Sequence, residues 1–180
     1  MAEIWFTATE KFDLSLGDKW RKYFEWAKIP YLKEVISLDS SRRPPELWNL
    51  VKSDWEHNIQ EDYRIAFFKD LDYLLEPFAE RQNSVNILAV CLEPSFDVRE
   101  TLQDNRFVFQ GYDLVGKGDV SAITNCGGFD KVFQPIDISE VGLFDSFDFA
   151  KQVQKQLLEY YPDEYHASTE LWAIWKMAPG

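Results

Sequence analysis

The run V-N-I-L-A-V-C-L, Val85 to Leu92, constrains this chain more than any other stretch. It is short, rich in β-branched residues and apolar on both faces, and Glu93-Pro94 closes it. A strand with two apolar faces belongs inside a sheet that is covered on both sides. The rest of the chain must therefore supply a strand for each edge and a packing layer for each face.

Strand partners are found toward the C-terminus. Arg106–Val115 and Val120–Asn125 bracket Gly116-Lys117-Gly118-Asp119, whose glycines supply positive φ for a hairpin. Glu170–Met177 predicts a last, mostly buried strand. Trp172 and Trp175 fall on its opposite faces, so at least one of them is expected to be less buried. Tyr63–Phe68 alternates weakly and predicts a further strand.

Helical spacing appears in four places. Asp18–Lys28 carries Trp20, Tyr23, Phe24 and Ala27, and Pro30 ends it. Pro45 to about Asn58 starts on a proline and places Leu47, Leu50, Val51 and Trp55 on one stripe. Leu71–Ala79 is limited by Pro77, and Ser146–Tyr161 has a capping residue and a clear apolar face. Hairpin-like connections outnumber βαβ units. The expected class is α+β, a single domain over 1–180 with a largely antiparallel sheet packed by helices. Within it, 1–43 reads as an N-terminal helical docking element and 44–180 as the main body. The junction at Asp39-Ser-Ser-Arg-Arg-Pro-Pro45 reads as an exposed loop.

Charge narrows the functional classes. With 46% hydrophobic residues the chain has the apolar surface that folding needs. Its 31 acidic and 19 basic residues give a net charge of −12, and residues 61–180 hold −11 of it. Such a surface disfavours nucleic acid and anionic membranes as partners. The first 20 residues hold Glu3, Glu10, Asp13 and Asp18 and no apolar stretch, so a signal peptide is not expected. Cys91 and Cys126 are then expected as reduced thiols in a cytoplasm. The sequence contains no phosphate loop, no G-x-G-x-x-G, no G-x-S-x-G and no H-E-x-x-H, and no cofactor is expected.

Two groups of residues could carry chemistry. Thr124-Asn-Cys-Gly-Gly-Phe129 follows a strand and places Cys126 before two glycines. Cys126 could act as a nucleophile with His166 as its base. The same text also describes a turn leaving a strand, with Cys126 a small packed hydrophobe. Zinc is disfavoured, because His57, Cys91, Cys126 and His166 are separated by 34, 35 and 40 residues and include no close ligand pair. Glu93, Asp97, Glu100 and Asp104 form an acidic rim after the central strand. The chain also holds seven Trp, eight Tyr and fourteen Phe, more than a core of this size commonly needs. Aromatic anchors on an acidic surface suit capture of a basic partner. Trp5, Trp20, Trp26, Trp48, Tyr112, Tyr160 and Tyr165 are the aromatics expected at the surface.

Gly111-Tyr-Asp-Leu114, Ser121–Phe129, Tyr161-Pro-Asp-Glu164 and Trp172-Ala-Ile-Trp175 together resemble a pattern in small acidic bacterial proteins. Some of those are similar to the immunity proteins that neutralise polymorphic toxins. The resemblance spans roughly residues 63–177 and brings no catalytic residue with it. The leading expectation is a non-enzymatic, immunity-type binding protein that occludes a basic toxin or nuclease. Glu93, Asp97, Glu100, Asp104, Tyr112, Asp113 and Asp119 would meet that partner. A structural or adaptor subunit, which would self-associate in isolation, and a cysteine-dependent enzyme using Cys126 are the alternatives.

Overall fold

The computed structural model describes residues 3–11, 23, 25, 27–28, 30–39, 42–53, 66–81, 83–116, 120–124, 129, 131–164 and 167–179. The elements in chain order are β1 (Trp5–Glu10), α1 (Pro45–Ser53), α2 (Leu71–Leu75), β2 (Val85–Leu92), β3 (Phe107–Gly116), β4 (Val120–Ser121), α3 (Phe147–Tyr160) and β5 (Thr169–Met177). The strands form one antiparallel sheet in the order β1-β2-β5-β3-β4. This is the α+β class expected. The run Val85–Leu92 lies between two neighbours, β1 and β5, as its two apolar faces require.

Each face of the sheet has its own apolar layer. On the first face, Val85, Ile87, Ala89 and Cys91 of β2 and Leu171, Ala173 and Trp175 of β5 pack with α1, α2 and α3. Ala150, Val153 and Leu157 are the buried stripe of α3, and its Ser146 cap accepts from the Phe149 N–H at 3.3 Å. On the second face, Leu88, Val90, Trp172 and Ile174 pack under Ile36, Leu38, Phe67 and Leu143. Both Trp172 and Trp175 are therefore 1% exposed. The expectation that one would be less buried fails because an extended segment, residues 32–39, roofs the second face.

Three further expectations are corrected. The first is the helical docking element over 1–43. Tyr23, Glu25 and Ala27 are helical, but Trp5–Glu10 is an edge strand paired with β2 over its whole length. Its alternation is hard to read because threonines, not charges, occupy one face: Thr7 and Thr9 are both buried. The second is the exposed loop at Asp39–Pro45. Arg42, Arg43 and Pro44 are buried. Arg42 donates to the Glu10 carbonyl, and the Arg43 guanidinium sits 4.9 Å from the Phe67 ring centroid. The Phe67 ring stacks in turn on Trp172 at 4.8 Å. The third is the strand at Tyr63–Phe68. Ala66 lies in a turn, and Phe68 forms only an isolated bridge with Phe6, its N–H and carbonyl each bonded at 2.8 Å. Residues 63–65 lie outside the described set.

A bulge sets which way β3 faces. The ladder between β3 and β5 shifts register between Phe109 and Gly111. Phe109 packs on the first face before the shift, and Tyr112 and Leu114 do so after it. Asp113 and Val115 are thereby turned to the second face.

Candidate functional site

The loop that leaves β2 is exposed and is braced by several side-chain bonds. It begins at Glu93, whose φ of 43° is uncommon for a residue with a Cβ. The Glu93 side chain holds that conformation. Its Oε1 accepts from the Leu171 N–H and from Gln154 Nε2, and its Oε2 from Lys151 Nζ, each at 2.6 Å. One carboxylate thus ties the end of β2 to both β5 and α3. Burial raises the Glu93 pKa. The bonds from Lys151, the Leu171 N–H and Gln154 outweigh it and hold the group below the ordinary carboxylate value.

Past the buried Pro94, Phe96 stands 54% exposed. The next residue is braced again. Asp97 Oδ1 accepts from the Tyr112 hydroxyl at 2.7 Å and from the Arg99 N–H at 3.1 Å, and the Arg99 guanidinium bonds both carboxylate oxygens. Trp175 Nε1 donates to the Arg99 carbonyl at 3.2 Å. At the far end Asp104 accepts from the Arg106 backbone N–H and guanidinium. Burial raises the Asp97 pKa, but the bonds from Tyr112 and Arg99 outweigh it, and the bonds from Arg106 hold Asp104 low. A cavity of about 240 Å³ lies beside the loop, lined by Glu3, Cys91, Glu93, Phe96 and Val98 among others.

The expected site residues divide three ways. Glu93, Asp97 and Glu100 are exposed on this loop, with Asp104 half-buried. Tyr112 and Asp113 are each 0% exposed, so neither can meet a partner at the surface. Tyr112 reaches Asp97 from beneath, and burial followed by the Asp97 bond raises its pKa. Asp113 points into the second face. Its Oδ1 accepts from Ser121 Oγ at 2.6 Å and the Leu114 N–H at 2.8 Å, and its Oδ2 from the Leu38 N–H at 3.2 Å. Burial pushes its pKa up to about 6. Asp119, Cys126 and His166 lie outside the described residues.

Of the aromatics expected at the surface, Tyr160 is exposed, Trp48 half-buried and Trp5 buried. Trp20, Trp26 and Tyr165 lie outside the described residues. Sequence reasoning missed Phe96. Its only signal is a large apolar side chain among Pro94, Ser95 and Asp97, right after a strand.

Cys91 has little nucleophilic character. Burial, and then the Glu3 carboxylate, pushes its thiol up to about 11, well above neutral pH. Among the described residues no group of three or more His, Cys, Asp or Glu is placed to hold a metal ion. No helix among them is long and apolar enough to cross a membrane. Comparison with protein-family models, with curated proteins and with solved structures finds no match for this chain.

The brace under the loop gives a first prediction. Tyr112→Phe removes the hydroxyl that holds Asp97 and is expected to lower stability by about 1 kcal/mol. Hydrogen exchange at residues 97–100 should quicken more than exchange in β2. Equal rates in the two proteins would show that Tyr112 does not hold the loop.

Proposed function

We propose that this chain is a non-enzymatic binding protein that captures a basic protein through the loop of residues 93–104. The particular form we propose is an immunity-type protein that occludes a basic toxin or nuclease. The observation that carries the reading is Phe96, an exposed aromatic on a loop whose backbone is fixed from three sides. Exposed aromatics on preorganised loops bind well because little conformational entropy remains to be lost.

Charge supports the same reading in a specific way. Glu93, Asp97 and Asp104 already face Lys151, Arg99 and Arg106, so much of their charge holds the loop in place. Glu100 is the remaining exposed carboxylate of the loop, and its charge is felt by the neighbouring Arg99. Long-range attraction then comes from the net charge of −12, while Phe96 and Glu100 make the contact. A surface of this kind speeds association with a basic partner and loses that advantage in salt.

The test compares the wild-type chain with Phe96→Ala and Glu100→Lys variants. Each is immobilised, exposed to native host lysate and washed at low and high salt, and the retained proteins are identified by mass spectrometry. The expected result is one basic, stoichiometric partner, captured more slowly in salt and at least tenfold more weakly by Phe96→Ala. Equal capture by all three chains, or an acidic partner, would overturn the proposal.

A further inference from the structure

A second site lies at the opposite end of β2, whose eight residues span on the order of 25 Å. There the Lys11 N–H donates to the Ser84 carbonyl at 3.0 Å, in register with the β1–β2 ladder. At the loop end of the strand the Glu93 N–H donates to the Leu171 carbonyl at 2.7 Å, in register with the β2–β5 ladder. In an antiparallel sheet, successive residues turn their N–H and carbonyl toward opposite neighbours. The two bonds set the same pattern. Ser84, Asn86 and Leu88 bond toward β1, and Val85, Ile87 and Ala89 direct their backbone toward β5.

Val85 meets no strand on that side. The β2–β5 ladder ends at Leu88 and Lys176. Continued in register, it would set Pro179 opposite Val85, and a proline has no N–H to donate to the Val85 carbonyl. The end of β5 stays with β3 instead. Met177 pairs with Phe107, and the Ala178 N–H donates to the Arg106 carbonyl at 2.7 Å. A cavity of about 340 Å³ lies where the strands part, with Val85, Asn86 and Ile87 on one wall and Met177 to Pro179 on the other. Val85 is only 2% exposed, so little water reaches its backbone.

Side chains on the β2 wall alternate between the faces. Val85 and Ile87 belong to the first-face layer, whereas Asn86 lies on the second face with Leu88 and Val90. Asn86 is 1% exposed, and neither atom of its amide has a hydrogen-bond partner in the protein. Thr9, its neighbour on β1, is also buried with an unpartnered hydroxyl, so the pair does not close on itself. Lys176 across the gap is engaged by Glu34, so recognition here falls to hydrogen bonds and shape. A compact ligand cannot meet both faces of the wall. A strand can, because its own side chains alternate with the same period.

We propose that this gap binds an extended peptide segment, which lies beside Val85–Ile87 as an added strand. Its backbone supplies the donor and acceptor that β5 does not bring to Val85. A polar residue opposite Asn86 meets the amide on the second face, and the apolar residues flanking it join Val85 and Ile87 on the first. The volume is that of a small-ligand site and admits a short segment.

The test titrates the full chain with acetyl-Val-Gln-Val-amide. Binding is expected to shift the Val85 backbone amide and the Asn86 side-chain amide saturably, and to slow hydrogen exchange at Val85 by about tenfold or more. The same peptide N-methylated on both valines cannot donate to the Val85 carbonyl and should do neither. Pro179→Ala restores an N–H opposite Val85, lets β5 close the ladder and should weaken peptide binding by about tenfold. Asn86→Leu should prefer acetyl-Val-Leu-Val-amide, the reverse of the wild-type order. Phe96→Ala, at the other end of β2, should leave the peptide response unchanged, which separates this site from the proposed partner surface. No saturable shift at millimolar peptide, an equal shift with the N-methylated peptide, or an unchanged response in both Pro179→Ala and Asn86→Leu would overturn the proposal. So would self-association that protects Val85 without peptide, since a second copy of the chain would then be the occupant.

Discussion

Replacing Gly111 with alanine is expected to lower the stability of this protein by about 3 kcal/mol, and its thermal midpoint by about 6–12 °C. Two independent effects combine. The φ of Gly111 is +141°, a conformation that L side chains rarely adopt. A Cβ there would also lie 2.7 Å from the Phe144 carbonyl oxygen and 2.9 Å from the Leu143 Cβ. That carbonyl cannot simply yield, because it accepts from the Tyr112 N–H at 2.8 Å and the Phe144 N–H bonds back to the Tyr112 carbonyl at 3.0 Å. The substitution therefore strains the bulge that turns Tyr112 to the first face, beneath Asp97. Loop 93–104 should loosen with it, so hydrogen exchange at Asp97–Glu100 should rise along with the loss measured by urea unfolding. A stability loss below about 1 kcal/mol would mean that the bulge can relax without Gly111.

Much of the sheet was legible because its strands announce themselves by period and composition. Val85–Leu92, the strand after Arg106 and the last strand are apolar runs bounded by Pro, Gly or charge, and they fold as read, whereas the strand expected over Val120–Asn125 pairs only at Val120–Ser121 and gives way to a bend and turn at residues 122–124. The α3 boundaries follow from Ser146 as cap and Pro162 as stop. What failed depends on coverage at long range. Trp5–Glu10 is buried on both sides, so its threonines give no polar face to contrast with an apolar one. The arginines at 42 and 43 look solvated in sequence. Each reaches a distant acceptor or ring, the Glu10 carbonyl or Phe67, which no local pattern reveals.

The site was legible to a similar degree. An acidic loop after β2 follows from Glu93, Asp97, Glu100 and Asp104, and the structure places them there. The dual use of three of those acids does not follow from sequence. Lys151 is 58 residues from Glu93, and only the packing of α3 on the sheet brings them together. Tyr112 and Asp113 sit between apolar neighbours on a strand with two covered faces, so the charge of Asp113 reads as exposure when it marks an internal junction. The one-residue bulge before them decides which face each takes, and Gly111 is its only local sign.

Asp113 leads to the second large effect, a stability that rises as pH falls toward 5. Its carboxyl is fully buried and titrates near 6, against 3.8 for the ordinary group. A carboxyl raised on folding binds protons more tightly in the native state than in the unfolded chain. Its contribution is fully present below the unfolded value and is lost as pH rises through 6. The whole span corresponds to about 3 kcal/mol, of which roughly half falls between pH 5 and 7.5. Glu93, Asp97 and Asp104 act in the opposite sense, but their lowered values place their loss of stability at more acidic pH. Asp113→Asn is neutral at every pH. The quantity to follow is the stability of the wild type minus that of the variant, from urea unfolding at pH 5 and 7.5. It should fall by about 1 kcal/mol as pH rises. The absolute stability of the variant does not enter, since a lost acceptor for the Leu38 N–H or the Ser121 hydroxyl lowers it equally at both pH values. A difference that stays constant would mean that Asp113 titrates at the ordinary carboxylate value. The bonds from Leu38, Leu114 and Ser121 would then offset burial, and the segment over the second face would be fastened by an ionised carboxylate across the whole range.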